Sequence, residues 1–156
     1  MFKLTVIAVG KLKEPYWKDA VAEYSKRLAP YTILRSMVVA EVPFKSPSEA
    51  GAVMRAEAGA IRAKIPKGAF TVALDSAGRG MSSLQYAAAL KREGEGGREI
   101  AFLIGGPLGL DPALSAECNL MLSLSPMTFT HGEAQAILME QTYRAIAILM
   151  GKAYHY

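Results

Sequence analysis

Three stretches of this 156-residue chain carry groups suited to chemistry. The first is Gly105-Gly-Pro-Leu-Gly109, a glycine turn directly behind the apolar run Ile100-Ala-Phe-Leu-Ile104. Five apolar residues in a row fit a strand buried on both faces, and the glycines let the backbone turn sharply afterwards. Open α/β sheets bind ligands at such carboxyl ends. The turn has neither the Lys-Ser/Thr of a phosphate-binding loop nor the Gly-x-Gly-x-x-Gly dinucleotide spacing. The second stretch is Ser123-Leu-Ser-Pro-Met-Thr-Phe-Thr-His131. Together with Gly105 and Gly106 it makes an apolar site, rich in backbone donors and acceptors and without fixed charge. Such a site suits a flat heteroaromatic ligand such as adenine; plain strand-to-helix connections have the same composition. The third stretch is the tail Tyr154-His155-Tyr156. Ring-bearing polar residues at a chain end have little core to fill, which leaves a functional role and a frayed end both open.

Other chemistries find little support. No Gly-x-Ser-x-Gly elbow presents a serine nucleophile, and His131, alone before a helix, fits a cap or structural donor better than a catalyst. One cysteine, Cys118, and two histidines, His131 and His155, leave too few ligands for a structural zinc, so no metal is expected. A single cysteine also forms no internal disulfide, in keeping with a cytoplasmic location. The longest uninterrupted apolar stretch, 145–150, is too short to span a bilayer, and Leu4–Val9 is too short for a secretory segment. Net charge is +4. Residues 1–35 hold seven basic side chains (Lys3, Lys11, Lys13, Lys18, Lys26, Arg27, Arg35) against three acids. Tyr16, Trp17, Tyr24 and Tyr31 are interleaved with them. Basic groups beside aromatics supply the phosphate neutralisation and stacking that a folded RNA needs; a solvated helix face over core aromatics accounts for the same pattern.

The elements that must hold these stretches alternate in type. Leu4–Val9 reads as a strand, and Pro15 opens a helix whose Trp17, Val21, Tyr24 and Leu28 recur at helical spacing. A second strand lies within Ile33–Val42. Ser46-Pro-Ser-Glu49 reads as a capping box for a helix with Ala50, Val53, Met54, Ile61 and Ile65 inward. Phe70–Leu74 is a third strand, closed by a loop over Asp75–Gly80. Ser82-x-x-Gln85 caps a helix with Leu84, Ala88 and Leu90 inward. After the strand at Ile100–Ile104, Asp111-Pro112 starts a short helix, Leu120–Leu124 is a fifth strand, and a last helix runs from about Glu133 to Met150. Alternating strands and helices predict one α/β domain over 1–156, a mostly parallel sheet flanked by helices.

The ordered set Leu4–Lys13, Tyr16-Trp-Lys18, Glu23-Tyr24, Lys26-Arg-Leu28, Leu74-Asp75, Gly78, Leu103–Gly106 and Gly109-Leu110 resembles one known family end to end. The match continues through Leu122–Ser125, Met127–Phe129, His131, Glu140-Gln141, Tyr143–Ala145 and Ala153–His155. The family is the ribosomal large-subunit pseudouridine methyltransferases (RlmH) of the SPOUT class, enzymes that use S-adenosylmethionine. The resemblance implies a SPOUT fold with a C-terminal trefoil knot and a homodimer whose active sites are completed by the partner chain. It implies S-adenosyl-L-methionine held by Leu74, Gly105, Leu124, Ser125, Pro126, Met127, Thr128 and Phe129. The implied substrate is N3 of a pseudouridine in helix 69 of 23S rRNA in the ribosome. His155, Tyr154 and Arg144 become the candidates for general base, base-positioning group and phosphate or imide anchor. A valine at Gly105 is expected to crowd the cofactor. The chain departs from the family pattern at Leu108, Gln135 and Tyr156, where polar or acidic, arginine and basic residues are usual. A ribosome- or RNA-binding member of the same fold with impaired catalysis is the alternative.

Overall fold

The computed structural model describes residues 1–156. Five strands and five helices follow the predicted order: β1 (Phe2–Val9), α1 (Pro15–Leu28), β2 (Thr32–Val39), α2 (Ala50–Arg62), β3 (Phe70–Gly80), α3 (Ser83–Gly94), β4 (Glu99–Ile104), α4 (Pro112–Glu117), β5 (Leu120–Ser123) and α5 (His131–Leu149). The strands form one sheet in the order β2-β1-β4-β3-β5, every pair parallel. A parallel sheet needs helices on both faces, and alternate residues of each strand therefore enter two different cores. Leu4, Val6 and Ala8 of β1, with Ile100, Phe102 and Ile104 of β4, pack under α1, α3 and α5. Ile7, Val9 and Leu103 pack under α2 and α4.

Helix α5 lies between α1 and α3, and Ala136, Leu138, Met139, Ala145 and Ile146 are its buried residues on the larger core. Full burial of the Leu138, Met139 and Ile146 side chains stabilises by about 1.5–3 kcal/mol each. Thr130 caps the helix by accepting from Glu133 N (3.4 Å), so it begins at His131, earlier than the sequence pattern gives. His131 is its first residue rather than its cap, and its Nε2 lies 3.3 Å from the carbonyl of Lys11.

Three local readings change. The Ser82/Gln85 capping box is present, with reciprocal bonds of 3.2 and 2.9 Å. That at Ser46 is not: Glu49 instead accepts from Lys45 N (2.7 Å), and a single 3-10 turn leads into α2. On α3 the buried face is Tyr86, Ala87, Ala89 and Leu90, while Leu84 is 58% exposed and Ala88 lies outside the core. Finally, β3 does not end at Leu74. Leu74 pairs with Leu122, residues 75–78 bulge outward, and Arg79 and Gly80 rejoin β5 at Leu122 and Ser123. Ser123 Oγ donates to the Ser76 carbonyl (3.0 Å) and fixes the bulge. Gly78 is required there, because a Cβ would stand 2.7 Å from the Met121 carbonyl group.

Candidate active site

Because β3 lies between β4 and β5, the carboxyl ends of these strands stand side by side. Ala73 pairs with Leu103 and Leu74 with Leu122, which brings Leu74, Gly105 and the start of the Leu124–Phe129 loop to one edge. The β4 turn closes through Gly109 N donating to Gly106 O (2.9 Å), with Pro107 at its second position and Gly109 at φ +81°. Gly105 faces the far side of its own turn. A Cβ built on it would lie 2.5 Å from Gly109 C and 2.6 Å from Leu110 N. A valine at 105 therefore collides with the backbone of its own turn. Beneath the turn sits Glu57, buried, its Oε1 accepting from Val42 N (3.1 Å). Burial pushes its carboxyl pKa up.

In the β5–α5 loop, Leu124, Ser125 and Phe129 are half-buried, whereas Pro126, Met127 and Thr128 are exposed, Met127 by 75%. Ser125 Oγ accepts from Met127 N (3.0 Å). A cavity of about 310 Å³ opens between the start of α3, the end of β5 and the middle of α5. That volume lies at the lower end of the range for small-molecule sites. Met81, Tyr86, Leu122, Leu124, Ile137 and Leu138 supply its apolar wall, and Ser82, Ser83, Ser123 and Gln141 its polar groups. No charged side chain lines it. Of the eight predicted cofactor residues only Leu124 belongs to this lining; Leu74, Gly105, Ser125, Pro126, Met127, Thr128 and Phe129 do not. Of the α3 and α5 contributors, Ser82 is marked in the sequence only as a helix cap and Gln141 only within the family match, and Ser83 and Gln141, 58 residues apart, meet only through the fold. Hydroxyls, an amide and aliphatic walls fit an adenosine-like ligand that carries no phosphate.

The tail trio is brought together. Glu140 Oε1 accepts from Arg144 Nε (3.0 Å) and Nη2 (2.5 Å) and from the Tyr154 hydroxyl (3.1 Å). Arg144 Nη1 also approaches Tyr154 O (3.5 Å) and His155 Nδ1 (3.4 Å). Its guanidinium lies 4.8 Å from the Tyr154 ring centroid, and Tyr143 meets that ring edge-on at 4.9 Å. Arg27 reaches over Tyr24 and Tyr143 from α1. The bond to Glu140 raises the Arg144 pKa, so the group stays a cation. Burial, then the bonds to Tyr24 and Glu140, push the Tyr154 phenol far up, so it remains a neutral hydroxyl donor. Sequence reasoning named Glu140 only within the family resemblance and gave it no role. Lys152 anchors the root of the tail on Tyr31.

The remaining candidates have structural places. Gln135 is only 6% exposed, so it is packed inside the chain and is not a surface position for RNA. Leu108 is half-buried in the glycine turn, and Tyr156 is fully exposed. Cys118 is half-buried with its thiol pKa pushed up by burial, the opposite of a reactive thiolate. No three His, Cys, Asp or Glu side chains gather into a cluster able to hold a metal ion.

The five-stranded parallel sheet flanked by helices fits the class found by comparison: the chain belongs to the SPOUT methyltransferase family, whose profile, described as "Predicted SPOUT methyltransferase", matches residues 2–155. A relative from Carboxydothermus hydrogenoformans, named ribosomal RNA large subunit methyltransferase H, is 40% identical over 157 residues, 98% of this chain and 99% of the relative. A relative from Methanoregula boonei, given the same name provisionally, is 43% identical with the same coverage. Among solved structures, a "Probable Methyltransferase" from Bordetella pertussis Tohama I superposes with a TM-score of 0.58 over 92% of this chain and 95% of that one, at 14% identity. TrmJ from Z. mobilis ZM4 gives 0.54 over 93% and 70%, at 17% identity. These two share the fold. No helix of the chain is long and apolar enough to cross a membrane.

Proposed function

We propose that this chain, acting as one domain, is a cytoplasmic S-adenosylmethionine-dependent methyltransferase of 23S rRNA, with N3 of a pseudouridine in helix 69 as its target. One observation carries the reading: a ligand-sized cavity without a charged lining residue stands one hydrogen-bonded chain away from an Arg-Tyr-His cluster. The name shared by the relatives supplies the substrate class. The cofactor would be held by backbone groups at Leu74, Gly105 and Leu124 to Phe129, with its polar groups toward Ser82, Ser83 and Gln141. Bound there, it supplies an electrophilic methyl on sulfur, so the protein needs no metal or covalent nucleophile.

The chain's own residues then have three tasks. The target nitrogen must be lined up with the donor, which is worth several orders of magnitude in rate when the geometry is held. Arg144, always charged and fixed by Glu140, anchors a phosphate or the developing imide anion. Tyr154 contributes a ring face and a neutral hydroxyl that position the base. His155 takes the N3 proton. A guanidinium only donates, so in the resting chain it occupies the Nδ1 lone pair and leaves the proton on Nε2. His155 must therefore swing off Arg144 to act as a base, and its exposed position permits this.

We further propose a homodimer in which each active site is completed by the partner chain, and a C-terminal trefoil knot that shapes the cofactor loops. Tyr16 on α1, Leu84 on α3 and Met127 in the β5–α5 loop are exposed apolar or aromatic groups that a partner chain would cover, which supports the dimer. Calorimetric titration with S-adenosylmethionine tests the cofactor assignment. One site per chain is expected, whereas no heat of binding, with or without ribosomes present, contradicts it.

A further inference from the structure

We propose that Gln141 is a positioning residue that couples the cavity to the C-terminal tail. The inference rests on the reading that the cavity takes S-adenosylmethionine. The Gln141 side chain is shared in two directions. Its Oε1 accepts from the Ser83 hydroxyl (2.7 Å), and its Nε2 donates to Glu140 Oε2 (2.8 Å). Ser83 and Gln141 line the cavity. The other oxygen of Glu140 is the one that holds Arg144 and Tyr154. A continuous chain, Ser83–Gln141–Glu140–Arg144/Tyr154, thus joins the cavity wall to the side chains assigned to the base. Donors converge on Glu140 from both ends. A ligand hydroxyl that engages Ser83 or Gln141 redistributes the donors left to that carboxylate and so changes its hold on the tail.

An amide is the group this position needs, because it carries an acceptor for Ser83 and a donor for Glu140 on one rigid plane. A leucine would end the chain on both sides. Coupling of this kind is reciprocal: whatever the ligand does to the tail, the tail does to the ligand's affinity.

The test compares S-adenosylmethionine affinity in four proteins: the full chain, the chain without residues 152–156, Gln141→Leu, and the two changes combined. Thermal melting establishes that each is folded, and Ser83→Ala replaces Gln141→Leu if that variant is not. Removing the tail is expected to shift the Kd at least fivefold when Gln141 is present. In the Gln141→Leu background the same truncation is expected to shift it less than twofold. Equal shifts in both backgrounds, or no shift in either, overturn the coupling. Absence of binding in all four contradicts the cofactor reading itself. Hydrogen exchange at the Lys152 and Tyr154 amides of the ligand-free full-length proteins then decides the coupling separately. Faster exchange in Gln141→Leu supports it, and unchanged exchange overturns it.

Discussion

The carboxyl-edge loops and the C-terminal tail are built from opposite materials. The loops at Gly105–Gly109 and Leu124–Phe129 carry no charged side chain, and the first keeps its shape only because Gly105 has no Cβ. The tail cluster is made of side chains: Glu140 with Arg144, Tyr154 and His155, backed by Tyr143 and Arg27. A backbone site binds by shape and tolerates most side-chain changes, but a misplaced Cβ destroys it. A side-chain site tolerates backbone adjustment and fails with one functional group. The first is suited to holding a neutral heteroaromatic group, the second to managing charge at a reacting base.

The sharpest break of this contrast is Gly105→Val. A Cβ at 2.5 Å from Gly109 C forces the turn open, and we expect a loss of about 3–5 kcal/mol in urea unfolding together with loss of S-adenosylmethionine binding. Retained binding would separate the turn from the site. In the tail the expectation reverses. His155→Ala should lower methyl transfer by about 10²–10⁴-fold while leaving the melting temperature unchanged. Wild-type rates would remove His155 as the base. Tyr86→Phe lies between the two regions, since its hydroxyl faces Thr142 Oγ1 (2.9 Å) beside the cavity. Thr142 keeps its bond to Leu138 O, so the expected cost is only about 1 kcal/mol in thermal unfolding, with small change in cofactor affinity.

The smallest effect concerns Glu57 under the glycine turn. Its folded pKa is raised by burial, so the native state holds the proton more tightly than the unfolded chain. Its stabilising contribution is therefore complete below the ordinary carboxylate value of 4.5 and is lost as pH rises through the folded pKa. Glu57→Gln should flatten that decline in a pH series of melting temperatures from pH 4 upward. An unchanged slope would mean that Glu57 does not titrate differently in the folded protein.

Much of the scaffold is legible in the residues because each strand is an apolar run between turn formers and each helix has a periodic face. The 75–80 segment is not. Asp75-Ser-Ala-Gly78 has turn composition, and only Ser123 and the Met121 backbone, more than 40 residues away, draw Arg79 and Gly80 back onto the sheet. The α3 face is misread for a related reason: Leu84 obeys the helical spacing, yet the sheet takes Tyr86, Ala87, Ala89 and Leu90. Residue types and chain-end position mark the tail as chemically able. The Ser83–Gln141–Glu140 chain behind it has no local mark, because tertiary structure alone brings Ser83 to Gln141.

The central claim, that this chain methylates 23S rRNA, is tested most directly by mass spectrometry of helix 69 fragments from a strain lacking the protein, before and after complementation. The account predicts one pseudouridine that is lighter by one methyl group in the deletion strain and restored by the wild-type chain but not by Arg144→Ala. An unchanged modification state across all three would contradict it.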